Sequence, residues 1–189
     1  MEPSSVAEEP WRWQRGFLYP APMRHIIGIL LQNESGALSR VAGLFSSRGY
    51  NIESLSVAAT DDPALSRITL VTEGSQSVVH QITSQLNKLI DVVAVDDMTG
   101  DDHLERELAL VKLRLHAGQR EAVRALVEQS GGRILSEGHD CHILELTSSE
   151  ADINQFAQRL EAHGDLLEIV RSGALGISRQ DHVLHVVEP

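Results

Sequence analysis

The 189-residue sequence is poor in cysteine, in aromatic residues and in positive charge. Its single thiol, Cys141, excludes an internal disulfide and cannot by itself supply a thiolate zinc site. That usage fits a reducing compartment, with the cytosol as the default expectation. Phe, Trp and Tyr together make up 4%, too few for the aromatic pairs on which sheet modules stack single-stranded bases. Lys and Arg number 16 against 27 Asp and Glu, a formal net charge of −11 that repels a phosphate backbone unless basic residues are segregated into a patch. Acidic residues outnumber basic ones in residues 1–22, 23–98 and 99–189 alike, so nucleic acid is not an expected partner. No apolar run approaches the roughly 20 residues that span a bilayer. The N-terminus also lacks a basic segment followed by an apolar core, so neither export nor membrane insertion is expected.

What is present is an ordinary globular mixture, 42% hydrophobic and 23% charged, of a length that suits one domain or two small ones. Residues 1–22 stand apart. They hold Pro3, Pro10, Pro20 and Pro22 and both tryptophans, Trp11 and Trp13, without a sustained period, and a poorly ordered extension is expected there. From Arg24 the signals alternate. Arg24 to Leu31 reads as a strand, and Asn33-Glu34-Ser35-Gly36 as a turn-and-cap cluster. In Ala37 to Arg48, the residues Ala37, Leu38, Val41, Leu44 and Phe45 recur at helical spacing, with Gly49 as the stop. Ile52 to Val57 and Ser66 to Thr72, joined through Asp61-Asp62-Pro63, read as a hairpin. Val78, Val79, Ile82, Leu86 and Leu89 form a second helical stripe, and Val92, Val93 and Val95 a last strand.

The same order then repeats about 83 residues on, with Arg24 matched to Glu107. Strand Leu108–Leu115, helix Gln119–Gln129 ended by Gly131-Gly132, strands near Arg133–Glu137 and Cys141–Leu146, helix Ser149–Ala162 and strand Leu166–Arg171 make up the second unit. Thr99-Gly100-Asp101-Asp102-His103 is a short polar linker between the two. The expected fold is therefore α+β, two tandem ferredoxin-like βαββαβ modules over residues 23–98 and 99–180, with a tail at 181–189. Each module places both helices on one face of a four-stranded antiparallel sheet and leaves the other face open. An open apolar face or an unpaired edge is costly in water, so association is expected from the architecture itself.

Two loops can carry binding chemistry. In Asn33 to Leu38 a strand end meets a helix start, where unpartnered N–H groups and the helix dipole suit a carboxylate. Gly36 allows close approach to its backbone, and the Asn33 amide offers a donor and an acceptor. The competing reading is that Asn33 or Ser35 caps the helix and Gly36 turns the chain. In Arg48-Gly49-Tyr50-Asn51-Ile52-Glu53, Asn51 can meet polar ligand atoms and Ile52 can form an apolar wall. Here the competing reading is a glycine C-cap followed by a polar connector.

The run Asn33-Glu34-Ser35-Gly36-Ala37-Leu38-Ser39-Arg40-Val41, followed by Gly43-Leu44-Phe45 and Arg48-Gly49-Tyr50-Asn51-Ile52-Glu53-Ser54-Leu55, closely resembles the small regulatory subunit of acetolactate synthase, also called acetohydroxyacid synthase. Thr60-Asp61-Asp62-Pro63, Ser66-Arg67, Gln85-Leu86-Asn87-Lys88-Leu89, Arg106-Glu107-Leu108 and Arg171-Ser172-Gly173 share the resemblance, which covers about Met23 to Arg179. It implies that the first module is an ACT domain and the second an ACT-like domain. It further implies a homodimer that binds valine between its ACT domains. Asn33, Gly36 and Ala37 of one chain would face Asn51 and Ile52 of the other. The chain would be non-catalytic. It would bind the large subunit of the synthase in branched-chain amino-acid biosynthesis, raise its activity and confer feedback inhibition by valine. No cofactor or metal is implied in this chain; thiamine diphosphate, FAD and Mg are implied in the catalytic subunit. One methylene in an apolar pocket is worth roughly 1–3 kcal/mol, so leucine and isoleucine would bind more weakly. Nothing carries over to residues 1–22.

His139-Asp140-Cys141-His142 gathers four possible ligands. Strand alternation turns His139 and Cys141 one way and Asp140 and His142 the other, so they are not expected to converge on a metal. Cys141 has no recognisable base to make it a nucleophile. The tail His182-Val183-Leu184-His185 reads as frayed or docked surface. The alternative is an amino-acid-sensing ACT-domain protein that regulates another partner or transcription; control of transcription would need a helix-turn-helix or a basic face, and the sequence offers neither. A small ferredoxin-like enzyme would need paired carboxylates or an activated nucleophile, which are also missing.

Overall fold

The computed structural model describes Trp11–Gln14, Phe17–Pro20, residues 23–181 and residues 183–184, with side chains from Met23 onward. Much of the extension expected over residues 1–22 therefore lies outside the described residues. Within it, β1 (Trp11–Gln14) and β2 (Phe17–Pro20) pair antiparallel.

The first module contains β3 (Met23–Gln32), α1 (Ala37–Ser47), β4 (Ser54–Ala59), β5 (Leu65–Gly74), α2 (Gln76–Leu86) and β6 (Val92–Asp97). Its four-stranded antiparallel sheet runs in the order β4-β5-β3-β6, which leaves β4 and β6 as edges. Ile27, Ile29 and Leu31 of β3, with Ile68 and Leu70 of β5, point at the helices. There they meet Val41 and Phe45 of α1 and Val79, Ile82 and Leu86 of α2. Period two in the strands and 3.6 in the helices place these residues on facing surfaces, which is why the sequence pattern produced the module.

The second module repeats the plan with β7 (His103–Leu115), α3 (Arg120–Gln129), β8 (Arg133–Glu137), β9 (Cys141–Ser148), α4 (Glu150–Leu160) and β10 (Gly164–Arg171). The order β10-β7-β9-β8 matches that of the first sheet, so the tandem ferredoxin-like fold is the one observed. Its own core joins Val111, Leu113 and Leu144 to Val123 of α3 and Ile153 and Phe156 of α4. Ser149 caps α4 by accepting the Asp152 N–H at 3.2 Å.

Two features depart from the sequence reading. β7 begins at His103, inside the expected linker, because His103–Arg106 pair with a further strand, β11 (Leu175–Ser178). Nor is the outer face of the first sheet open. β11 and the turn before it cross that face: the Gly176 N–H donates to Thr69 Oγ1 at 3.3 Å, and Arg67 Nη2 donates to the Gly176 carbonyl at 3.1 Å. A Cβ at Gly176 would stand 2.8 Å from Ile26 Cδ1 and 2.9 Å from the Met98 methyl, so glycine allows the strand to lie this close. Ile26, Val71, Met98 and Ala174 form a small core between the modules. Arg24 adds a forked pair to Glu105, at 2.9 and 2.7 Å. Cover on both faces explains why His25 to Leu31 are all buried, where a half-open sheet would show alternation.

Candidate ligand site at the edge of the first sheet

β3 ends at Gln32, and the next residues turn the chain back over the sheet into α1. The Asn33 N–H donates to the Ala64 carbonyl at 2.7 Å, and Asn33 Nδ2 donates to the Pro63 carbonyl at 3.0 Å. Asn33 is therefore held against the β4–β5 loop and does not cap α1. Gly36 occupies the N-cap position at φ +88°, and no side chain caps the helix. The first turn carries no acidic residue, so the positive end of the helix dipole is left uncompensated within its own sequence. This is the donor-rich arrangement that an incoming carboxylate satisfies.

Arg40 reinforces it, and the sequence reading did not single out its role. Its Nε and Nη2 hold both carboxylate oxygens of the buried Asp91, the Nη2–Oδ1 bond measuring 2.7 Å. A Cβ on Gly36 would lie 3.1 Å from Arg40 Nη1, so the guanidinium stands directly beside the helix start. The guanidinium keeps the Asp91 carboxyl below its ordinary range, and Asp91 in turn raises Arg40. The available signal was spacing: Arg40 lies four residues after Gly36, one helical turn on. Ala37 is placed differently from the other candidates. Its methyl is buried in the core and its N–H turns to the Glu34 carbonyl at 3.2 Å, so only its main chain borders the loop.

The second loop closes the other end of α1. The Tyr50 N–H returns to the Phe45 carbonyl at 3.0 Å, Gly49 takes φ +70°, and the Phe45 and Tyr50 rings meet edge-on with centroids 6.2 Å apart. Asn51 is exposed and its carbonyl accepts from Thr72 Oγ1 at 2.6 Å. Ile52 leans half-buried on the core. Burial first, then the carboxylates of Glu73 and Glu150, push the Glu53 carboxyl up.

The five candidate residues thus form two groups, not one. Asn33, Gly36 and Ala37 lie at the start of α1; Asn51 and Ile52 lie beyond its far end, with the 11-residue helix, about 16 Å long, between them. Between them runs β4, an edge strand with no charged residue in Ser54–Ala59 and with Val57 42% exposed. Beside β4 on the outer face is a groove of about 860 Å3, walled by Ser56, Ala58, Leu175, Ile177 and Leu184.

The histidine cluster does not converge. His139 and Asp140 lie in the turn before β9, with Nδ1 and Oδ1 2.7 Å apart, whereas His142 is buried beneath α3 with both ring nitrogens unpartnered. Among the described residues no three His, Cys, Asp or Glu side chains are placed to hold a metal. None of the described helices is long and apolar enough to cross a membrane.

Two family models match the chain. One, described as the AHAS small subunit-like ACT domain, covers residues 27–94; the other, the small subunit of acetolactate synthase, covers residues 106–180. The acetolactate synthase isozyme 3 small subunit of Salmonella typhimurium is 44% identical over 162 residues, 86% of this chain and 99% of that protein. The Mycobacterium leprae acetolactate synthase small subunit is 39% identical over 155 residues, 82% of this chain and 91% of that one. The crystal structure of the acetolactate synthase small subunit from Thermotoga maritima superposes with a TM-score of 0.77 at 31% identity, covering 85% of this chain and 99% of that one. With each module matched by its own family model and the whole tandem arrangement matched in a solved structure, the chain belongs to the acetolactate synthase small-subunit family, whose members are regulatory and not catalytic.

Proposed function

We propose that two copies of this chain pair through β4, bind valine across the seam, and so confer feedback inhibition on the catalytic large subunit that the chain also activates. The observation that carries this reading is the separation of the candidate residues. No single chain brings Asn33 and Gly36 to Asn51 and Ile52, because α1 and the length of the sheet lie between them. A two-fold axis through an antiparallel β4–β4 pair reverses the partner end for end. It thereby sets the start of one α1 against the loop beyond the other.

The chemistry of the two half-sites is complementary to an amino acid. Uncapped N–H groups of α1, with Arg40 beside them, suit the carboxylate; the Asn33 and Asn51 amide oxygens suit the ammonium; Ile52 suits a branched apolar tail. Of the two edges, β4 is uncharged, whereas β6 ends in Asp96 and Asp97, so pairing through β4 brings no like charges together. Val57, Leu175 and Ile177, exposed along that side, would lose apolar surface to the partner.

Isothermal titration of valine into the purified chain tests the proposal. Saturable binding at one site per chain is expected, lost in Asn33→Ala and in Gly36→Asp, the latter placing a carboxylate where the ligand's own would lie. Undiminished binding by both variants would place the site elsewhere.

A further inference from the structure

One shared motif, Arg171-Ser172-Gly173, has no part in the site described above, yet it makes the most constrained contact between the modules. Ser172 is bolted to β7 of its own sheet: its N–H donates to the Leu108 carbonyl at 3.0 Å, and its Oγ accepts the Leu108 N–H at 3.0 Å. The buried Glu107 takes Arg171 Nη2 at 2.5 Å and the Gly173 N–H at 3.2 Å. From this base the turn reaches across to β4. Ser56 Oγ donates to the Ser172 carbonyl at 2.8 Å, and Ser54 Oγ accepts the Ala174 N–H at 2.9 Å. Gly173 takes φ +76°, and a Cβ there would come 2.5 Å from Ser54 Oγ and 3.0 Å from Ser56 Oγ. Both the backbone angle and the clearance require glycine.

The intermodule contacts divide by the strand they grip. Gly176 on Thr69 and Arg67, and Arg24 on Glu105, are fixed to β5 and β3, the interior strands of the first sheet. The hydrogen bonds of the 172–174 turn fall instead on β4, which within one chain has a neighbour on one side alone and begins one residue after Glu53, itself next to Ile52. Interior strands are held on both sides within the chain; β4, the edge on which the proposed ligand and second copy act, is the strand whose position they can change. Hydrogen bonds of 2.8–3.2 Å weaken steeply on displacement, so the turn either follows β4 or lets go.

We infer that the Arg171–Gly173 turn is the latch by which the second module senses the position of β4, and hence whether the seam holds its amino acid. This rests on the ligand reading given above and adds to it the residues that carry the signal. Ser54, Ser56 and Gly173 are positioning residues here: they touch each other and not the ligand.

Amide exchange on the full chain, read by mass spectrometry with and without saturating valine, tests the latch. In the native chain valine should slow exchange about tenfold both in 51–59 and in 170–176. In Gly173→Ala, and in the double variant Ser54→Ala/Ser56→Ala, calorimetric affinity for valine should stay within about threefold and 51–59 should remain protected. Protection of 170–176 should be lost, and valine should inhibit the reconstituted holoenzyme at least about tenfold less well. The double variant adds no bulk, so it serves even if Gly173→Ala does not fold. Protection confined to 51–59 in the native chain, or protection of 170–176 undiminished in the double variant, would overturn the latch while leaving the ligand site standing. Failure of the native chain to bind valine would overturn the ligand reading and the latch with it.

Discussion

Arg40 clasps Asp91 with both arms of its guanidinium, tying the uncapped end of α1 to the residue that leads into β6. Arg40→Met should lower the thermal midpoint, because it leaves a buried carboxylate without a partner, and should weaken valine by about tenfold. Adding Asp91→Asn should restore much of the midpoint and none of the affinity. Equal recovery of both would show that Arg40 acts only through stability. The pH dependence follows from the lowered Asp91 carboxyl: its contribution is present above the unfolded value of 3.8 and is lost as pH falls through the lower folded value. Acid unfolding of Arg40→Met should accordingly lack this component.

His142 presents the opposite sign of problem. Burial above all, then the charge of Arg120, lowers its pKa, and neither ring nitrogen has a partner. The folded state thus prefers the neutral ring. Stability from this group is full above the unfolded value of 6.5 and is lost as pH falls towards the lower folded value. His142→Leu should stabilise the chain by about 1–2 kcal/mol at pH 7 by removing an unsatisfied polar ring, and by more at pH 5. Denaturant titrations of both proteins at the two pH values would check this; a gain that does not grow towards pH 5 would contradict it.

Val57 tests the edge. Being 42% exposed, it can be exchanged for lysine at little cost to the isolated fold, while the charge bars a second β4 from pairing. Val57→Lys should sediment as a monomer with unchanged secondary structure and without measurable affinity for valine. A dimer that survives the change would move the seam to another surface.

Much of this architecture was legible from periodicity, because each module encloses its own core and each element shows one face to it. Arg133–Glu137, for example, falls where the sequence placed it. β11 escaped for a physical reason. Its four residues hold two apolar side chains around a glycine, and its partner, His103–Arg106, lies about seventy residues earlier in the chain, so no local period marks it. One signal did exist: the unbroken apolar run in β3 suits a strand covered on both faces. For the proposed site, Asn33, Gly36, Asn51 and Ile52 are candidates the sequence offers because loop chemistry is written locally. The grip of Arg40 on Asp91, residues 51 apart, exists only after folding.

The most direct test of a site shared between two chains is complementation. Asn33→Ala and Asn51→Ala each remove one half of every site, so each homodimer alone should fail to bind valine. Heterodimers of the two, isolated through different affinity tags, restore one intact site and leave the other doubly defective, and should bind valine with about half the native capacity at native affinity. Heterodimers as inert as their parents would contradict a seam that joins Asn33 of one chain to Asn51 of the next.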